Sequence, residues 1–273
     1  MNFRRAITSD LLTIQSLWKE VFFDSEDYIN RFIVHFGIEN CYVCEINRKI
    51  AAMAFALPTT LSHFLTFNFK FSTLNLKYIY ACATHPNYRR QGVMEKLLAT
   101  IYDISCNENI AGVFLHAADE NLANYYRKLG FQDFFYRNSS TFNRKGREEG
   151  TKHTMKFLTP DEYSNKRIQK LEKQYFANWN EDFFRFLNET GVQFCEYENT
   201  IFSFRTEDSK LIVDELLSNT PEQQIANLLF EQFPDCESID IRTTGNENCC
   251  GQMKWNQFIN TDIRSGYFAF ALE

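Results

Sequence analysis

Between residues 78 and 98 a strand, a short basic turn and a helix follow one another, and this junction restricts the chain more than any other stretch. Tyr78 to Ala83 are apolar enough for a strand buried in a sheet. The turn Arg89-Arg90-Gln91-Gly92 follows, and an amphipathic helix opens at Val93 to Met94. Such a turn aims several backbone N–H groups, and the positive end of the helix dipole, at one point. The result is an anion site suited to a phosphate or pyrophosphate. Gly92 lets the backbone approach that ligand where a Cβ would intrude.

A second signal lies about thirty residues on, in Asn124-Tyr125-Tyr126-Arg127-Lys128-Leu129-Gly130-Phe131. It reads as a helix ending at Leu129, a glycine cap at Gly130 and a strand starting at Phe131. The whole order is strand, R-x-x-G turn, helix, strand, helix, then Y-x-x-x-G-F. It resembles the GNAT superfamily of acyl-CoA-dependent N-acetyltransferases. The family consensus runs roughly V-x-P-x-x-[RQ]-x-x-G-x-[GA], followed by F-Y-x-x-x-G-F. Here the first motif is Thr84-His85-Pro86-Asn87-Tyr88-Arg89-Arg90-Gln91-Gly92-Val93-Met94. Met94 stands where the family has Gly or Ala, so its side chain is expected to point away from the phosphates. The resemblance covers residues 3 to 137.

The expected fold class is α/β, with a mixed sheet: a GNAT acyltransferase fold followed by a second, degenerate GNAT-like lobe. Residues 1–137 read as β-α-α-β-β-β-α-β-α-β and form the expected acetyl-CoA domain. Residues 138–151 are polar, with Gly146 and Gly150, and read as a linker. Residues 152–273 repeat the opening order, with a capping box at Thr159-Pro160-Asp161-Glu162 and a second T-x-x-Q box at Thr220. Late strands are expected at Ser238–Ile241 and Gly266–Leu272. The second half has Ser218-Asn219-Thr220-Pro221-Glu222 where the first has its basic turn. That connection has no Gly, no basic residue and an acidic first turn, so it should repel a phosphate. Doubled cores of this kind occur in Eis-type aminoglycoside acetyltransferases; the chain resembles their first two domains, without the third.

Acyl transfer to an amine needs the thioester held, its carbonyl polarised, the amine deprotonated and the leaving thiolate protonated. By resemblance, Arg89 and Arg90 serve the phosphates, and the amides of Gln91, Gly92, Val93 and Met94 bind the pyrophosphate. Cys82, Ala83 and Thr84 pair with the pantetheine arm and offer an N–H to the thioester. Tyr126 is the implied general acid, a phenol keeping its proton at neutral pH. Many relatives place an Asn seven residues before it. Asp119 stands there, so Asn121 is the substitute candidate for cofactor contact. The general base is left open among Glu45, His85 and His116. The implied cosubstrate is acetyl-CoA and the implied partner an amine acceptor of unknown identity. The alternative is a catalytically silent CoA-binding or interaction module.

A net charge of −6 removes any global attraction to nucleic acid or anionic membrane. No apolar run approaches the ~20 residues that span a bilayer, and no signal peptide is visible, so a cytoplasmic location is expected. The eight cysteines form no framework. Cys41 and Cys44 lie on one expected strand at i and i+3, which sends them to opposite faces, and Cys249-Cys250 reads as a pair in a polar loop. No metal site is expected, and the oligomeric state is open. Asp24, Glu26 and Asp27 read as a solvated acidic turn, with attraction of a cationic amine as the alternative.

Overall fold

The computed structural model describes residues 1–65, 70–144, 154–259 and 261–272. Its first half runs β1 (Asn2–Arg5), α1 (Leu11–Phe22), α2 (Glu26–Phe36), β2 (Cys41–Ile46), β3 (Lys49–Leu65), β4 (Lys70–Thr84), α3 (Val93–Asn107), β5 (Gly112–Leu115), α4 (Glu120–Lys128) and β6 (Gln132–Asn143). Local chemistry sets many boundaries. Ser25 caps α2 by accepting from the Tyr28 amide, and Asp119 caps α4 by accepting from Leu122 at 2.8 Å. Asn47 and Arg48 both take positive φ, as a two-residue hairpin turn requires. Asp10 stands at the start of α1 without capping it through its side chain and turns its carboxylate to Arg4 and the Ile7 amide.

The second half contributes β7 (Lys156–Leu158), α5 (Pro160–Lys170), β8 (Phe176–Asn178), α6 (Glu181–Glu189), β9 (Gln193–Tyr197), β10 (Thr200–Glu207), β11 (Lys210–Leu217), α7 (Glu222–Gln232), β12 (Ser238–Thr244), β13 (Asn248–Trp255) and β14 (Gly266–Tyr267). The Thr159 capping box opens α5 as expected. The second box does not form. Pro221 is the N-cap of α7, and the Thr220 hydroxyl bonds to Thr200 instead.

The halves share one sheet in the order β1-β2-β3-β4-β5-β13-β6-β12-β11-β10-β9-β7. β4 and β5 are parallel, as are β11 and β12, each pair flanking a crossover helix. The central feature is β13, which lies antiparallel between β5 and β6. Three sequence expectations are corrected here. Cys249 and Cys250 belong to β13 rather than a polar loop. Residues 138–143 continue β6, pairing with β12, rather than forming linker; 145–151 lie outside the described residues. Only Gly266 and Tyr267 of the expected last strand are in ladder register, alongside β6 and β8. Phe268 to Leu272 are nonetheless buried.

The apolar core crosses the midline. Phe268 packs its ring against Tyr78, Phe114 and Phe135 at 5.3–5.6 Å. α2 meets α6 through Phe32, Phe36 and Phe186, with centroids 5.1–5.7 Å apart. A buried ion pair, Arg167 to Glu215 at 2.8 Å, ties α5 to β11, and Tyr163 donates to the same carboxylate at 2.8 Å. Arg167 Nη1 also donates to the Ala177 carbonyl at 3.2 Å, and such further hydrogen bonds offset part of the cost of a charge pair so deep.

Candidate active site

β4 carries the first unusual geometry. Its pairing with β3 steps from Phe55↔Tyr80 to Met53↔Ala83, so β4 contains one extra residue. Ala81 there takes φ +50°, a left-handed value rare for alanine. A bulge of this kind bends the strand and releases backbone groups from the ladder. The parallel pairing with β5 covers Leu76 to Ile79 only, and from there to Thr84 β4 is paired on its β3 side alone. The β5-facing edge of Cys82, Ala83 and Thr84 is therefore outside the β4–β5 ladder.

The turn after β4 is braced by its own side chains. Arg89 donates from Nε to the Thr84 carbonyl at 3.0 Å, and Gln91 donates to the Asn87 carbonyl at 3.0 Å. Arg90 and Gly92 take positive φ, and Gly92 is the N-cap of α3. The first intrahelical bond is Lys96 to the Gly92 carbonyl, so the amides of Val93, Met94 and Glu95 have no partner within the helix. A Cβ on Gly92 would meet only Glu95, at 3.9 Å. Glycine is needed there for its φ, and the space beyond is open to a ligand. Among the described residues no carboxylate pairs with Arg89 or Arg90. Met94 is half-buried and packs into the apolar cluster under α3, as its departure from the family pattern required.

Tyr126, on α4, is buried on the same cluster, beside Phe131 at 5.9 Å. Its hydroxyl faces the half-buried thiol of Cys82. Burial, reinforced by that thiol, holds the Tyr126 phenol well above its ordinary value, and burial pushes the Cys82 thiol up to about 12. Both groups keep their protons at neutral pH. Tyr125 is half-buried. Asp119 is occupied as the helix cap, and Asn121 is exposed in the first turn of α4.

The three base candidates separate. Glu45 is held by Arg4 at 3.0 Å on β2. His85 accepts the Asn87 amide at Nδ1, at 3.2 Å, and turns Nε2 toward Glu20 at 3.9 Å. His116 ends β5 and donates from Nδ1 to the Cys250 carbonyl on β13 at 2.8 Å, which assigns its tautomer. Cys41 and Cys44 enter different core clusters on the two faces of β2. Among the described residues no three His, Cys, Asp or Glu side chains are placed to hold a metal, and no helix is long and apolar enough to cross a membrane.

The matching place in the second half has a similar strand irregularity and different chemistry. β11 also carries an extra residue, Asp214, between Phe204↔Val213 and Ser203↔Glu215. Beside it lies a cavity of ≈ 530 Å³ lined by Asn138, Ser218, Thr220, Glu222, Thr243 and Thr244, among others. None of its lining residues is basic. Sequence reasoning found the turn and Tyr126. It missed both bulges, which leave no residue-type signature, and the insertion of β13, whose Asn-Cys-Cys-Gly-Gln lacks an apolar alternation.

Residues 2–133 match the family model described as acetyltransferase (GNAT) domain. No curated protein matches the sequence. Among solved structures, a GCN5-related N-acetyltransferase from Kribbella flavida is similar at TM-score 0.70 and 14% identity, covering 93% of this chain and 70% of that one. Eis1 from Mycobacterium abscessus is similar at TM-score 0.63 and 9% identity, over 88% and 65% of the two chains. A putative acetyltransferase from Pyrococcus horikoshii matches at TM-score 0.62 and 13% identity, over 99% and 95%. At these identities the likeness is one of fold: a GNAT fold with a second GNAT-like lobe.

Proposed function

We propose that this chain, whose residues 2–133 match the GNAT acetyltransferase domain and whose fold is like that of the Eis1 structure, transfers an acetyl group from acetyl-CoA to a primary amine of a small molecule or protein. The observation that carries this reading is the turn Arg89–Gly92. It combines unpartnered helix amides, two arginines without carboxylate partners and open space, beside a strand that has parted from β5. Arg89, Arg90 and the amides of Gln91 to Met94 would hold the pyrophosphate. The released backbone of Cys82 to Thr84 would pair with the pantetheine arm and polarise the thioester carbonyl. Acetyl-CoA supplies the activated acyl carbon. As the amine nitrogen bonds to that carbon and the C–S bond breaks, the Tyr126 hydroxyl gives its proton to the thiolate, and the proton the nitrogen sheds passes through water to restore the phenol. Asn121, exposed in the first turn of α4, would contact the same arm.

In this reading residues 1–137 carry the donor site and residues 152–273 form a companion lobe without one, working in the cytoplasm. Isothermal calorimetry of acetyl-CoA against the whole chain tests the donor site. Thiol release with an amine panel then separates an enzyme from a silent CoA-binding module. Binding without release for any amine would favour the silent module.

A further inference from the structure

Asp24 lies in the turn between α1 and α2 and is half-buried. It accepts a hydrogen bond from the Trp18 indole Nε1 at 2.8 Å. That donor is neutral, and among the described residues no cation pairs with Asp24. Its acidic neighbours are already matched, Glu26 by Lys19 at 2.5 Å and Asp27 by Arg31 at 2.7 Å. The solvated-turn reading thus holds for those two and not for Asp24. A half-buried carboxylate with only a neutral donor favours a cation beside it.

Two phenols stand next to this charge. The Tyr28 and Tyr80 hydroxyls are 3.1 Å apart, and Tyr80 immediately precedes the bulge residue Ala81. Burial raises Tyr28 to about 12 and holds Tyr80 well above its ordinary value; Asp24 adds to both effects, and Arg205 opposes it at Tyr28. The pair therefore stays neutral. One shared hydrogen bond leaves it lone pairs to accept from an N–H group. The C-terminal half fixes its position, since the Tyr28 ring meets Phe186 of α6 edge-on at 5.5 Å.

The same turn shows two apolar rings to solvent. Phe22 is 40% exposed and Phe23 is 87% exposed. Phe23 closes α1 at φ +63°, with its amide on the Lys19 carbonyl at 3.0 Å. Glycine or asparagine closes a helix in this way with less strain and no exposed ring.

We infer that Asp24, Tyr28 and Tyr80 position the acceptor nitrogen, and that Phe22 and Phe23 cover an apolar arm attached to it. The acceptor class is then a primary monoamine on an apolar or aromatic body. This rests on the acetyltransferase reading above. The bound ammonium loses one proton to water before its nitrogen lone pair attacks. The three side chains hold the nitrogen and take no proton from it.

The test uses 2-phenylethylamine as probe, titrated calorimetrically into the full chain with CoA bound and, separately, without CoA. The wild type should bind it more tightly than putrescine or 2-phenylethanol. Asp24→Asn, which keeps an acceptor for Trp18, should weaken the probe about tenfold or more, the loss of one charge-assisted contact. Tyr80→Phe should weaken it about threefold to tenfold. Phe23→Ser, at an exposed position that does not endanger folding, should weaken the probe but not methylamine. CoA affinity should stay within about twofold in all three, which a general loss of structure would not allow. In turnover, the amine KM should rise and the acetyl-CoA KM should not. Unchanged probe affinity in Asp24→Asn and Tyr80→Phe, tighter binding of putrescine, or no probe binding by a chain that holds CoA would each overturn the proposal. Failure to bind CoA would overturn the acetyltransferase reading instead, and the titration without CoA would still judge Asp24.

Discussion

The β4–α3 and β11–α7 connections occupy matching places in the two halves, and only one of them suits a phosphate. Each follows a strand with one extra residue, and each leads into a helix that crosses to a parallel neighbour. In the first, Arg90 and Gly92 turn the backbone through positive φ and α3 opens on unpartnered amides. In the second, Pro221 caps α7, Glu222 occupies its first turn and accepts from Thr243 at 3.3 Å, and Ser218, Thr200 and Thr220 bond to one another. Shared topology thus builds two bulged strands that each lead into a crossover helix, and the turn residues set whether the start of that helix suits an anion. Arginine and glycine make an anion cradle; proline and glutamate close one.

The sharpest way to break this contrast is to put a carboxylate into the first turn. Gly92→Glu should remove acetyl-CoA binding, by about a hundredfold or more, through a φ that costs an L residue ~1–2 kcal/mol and a charge beside the phosphates. Glu222→Gln in the second half should leave calorimetric affinity unchanged. Equal effects at both places would end the distinction.

The next effect concerns how far the halves are separate bodies. Phe268→Ala, in the C-terminal segment, should destabilise the whole chain by about 3–5 kcal/mol in urea unfolding, because its ring packs against β4, β5 and β6. One cooperative transition is expected. Two transitions, only one of them shifted, would show that the halves unfold independently.

Tyr126→Phe should lower kcat by roughly tenfold to a thousandfold while acetyl-CoA affinity stays close to wild type, since the hydroxyl acts as the thiolate leaves. An unchanged kcat would return Tyr126 to a packing role. The smallest effect sharpens the electrostatic side of the comparison. Glu95 is an exposed acid in the first turn of α3. Glu95→Gln should tighten acetyl-CoA binding about twofold to fivefold at low salt, less at high salt. Weaker binding would mean that Glu95 holds the ligand rather than opposing it.

Local chemistry made much of this molecule legible in advance. The helix of Val93, the cap at Gly130, the Thr159 box and the Asn47-Arg48 hairpin each depend on neighbours in sequence, and each stands where residue type places it. The opposite faces of Cys41 and Cys44 followed from strand periodicity, and the inward turn of Met94 from the family resemblance. Cys249 and Cys250 did not, because β13 is a strand only by virtue of the edges that β5 and β6 offer it. The Thr220 box failed because Thr200, on another strand, competed for its hydroxyl.

From the sequence came the element order of the first half, the basic turn before α3 and, through the family resemblance, the choice of Tyr126, since each is written in residues a few positions apart. Tertiary structure alone decided the bulge at Ala81, the contact between Cys82 and Tyr126, the insertion of β13 and the pairing of Tyr28 with Tyr80. Those features join residues up to about half the chain apart. No local propensity specifies such partners; they follow from which surfaces remain to be covered once the strands and helices exist.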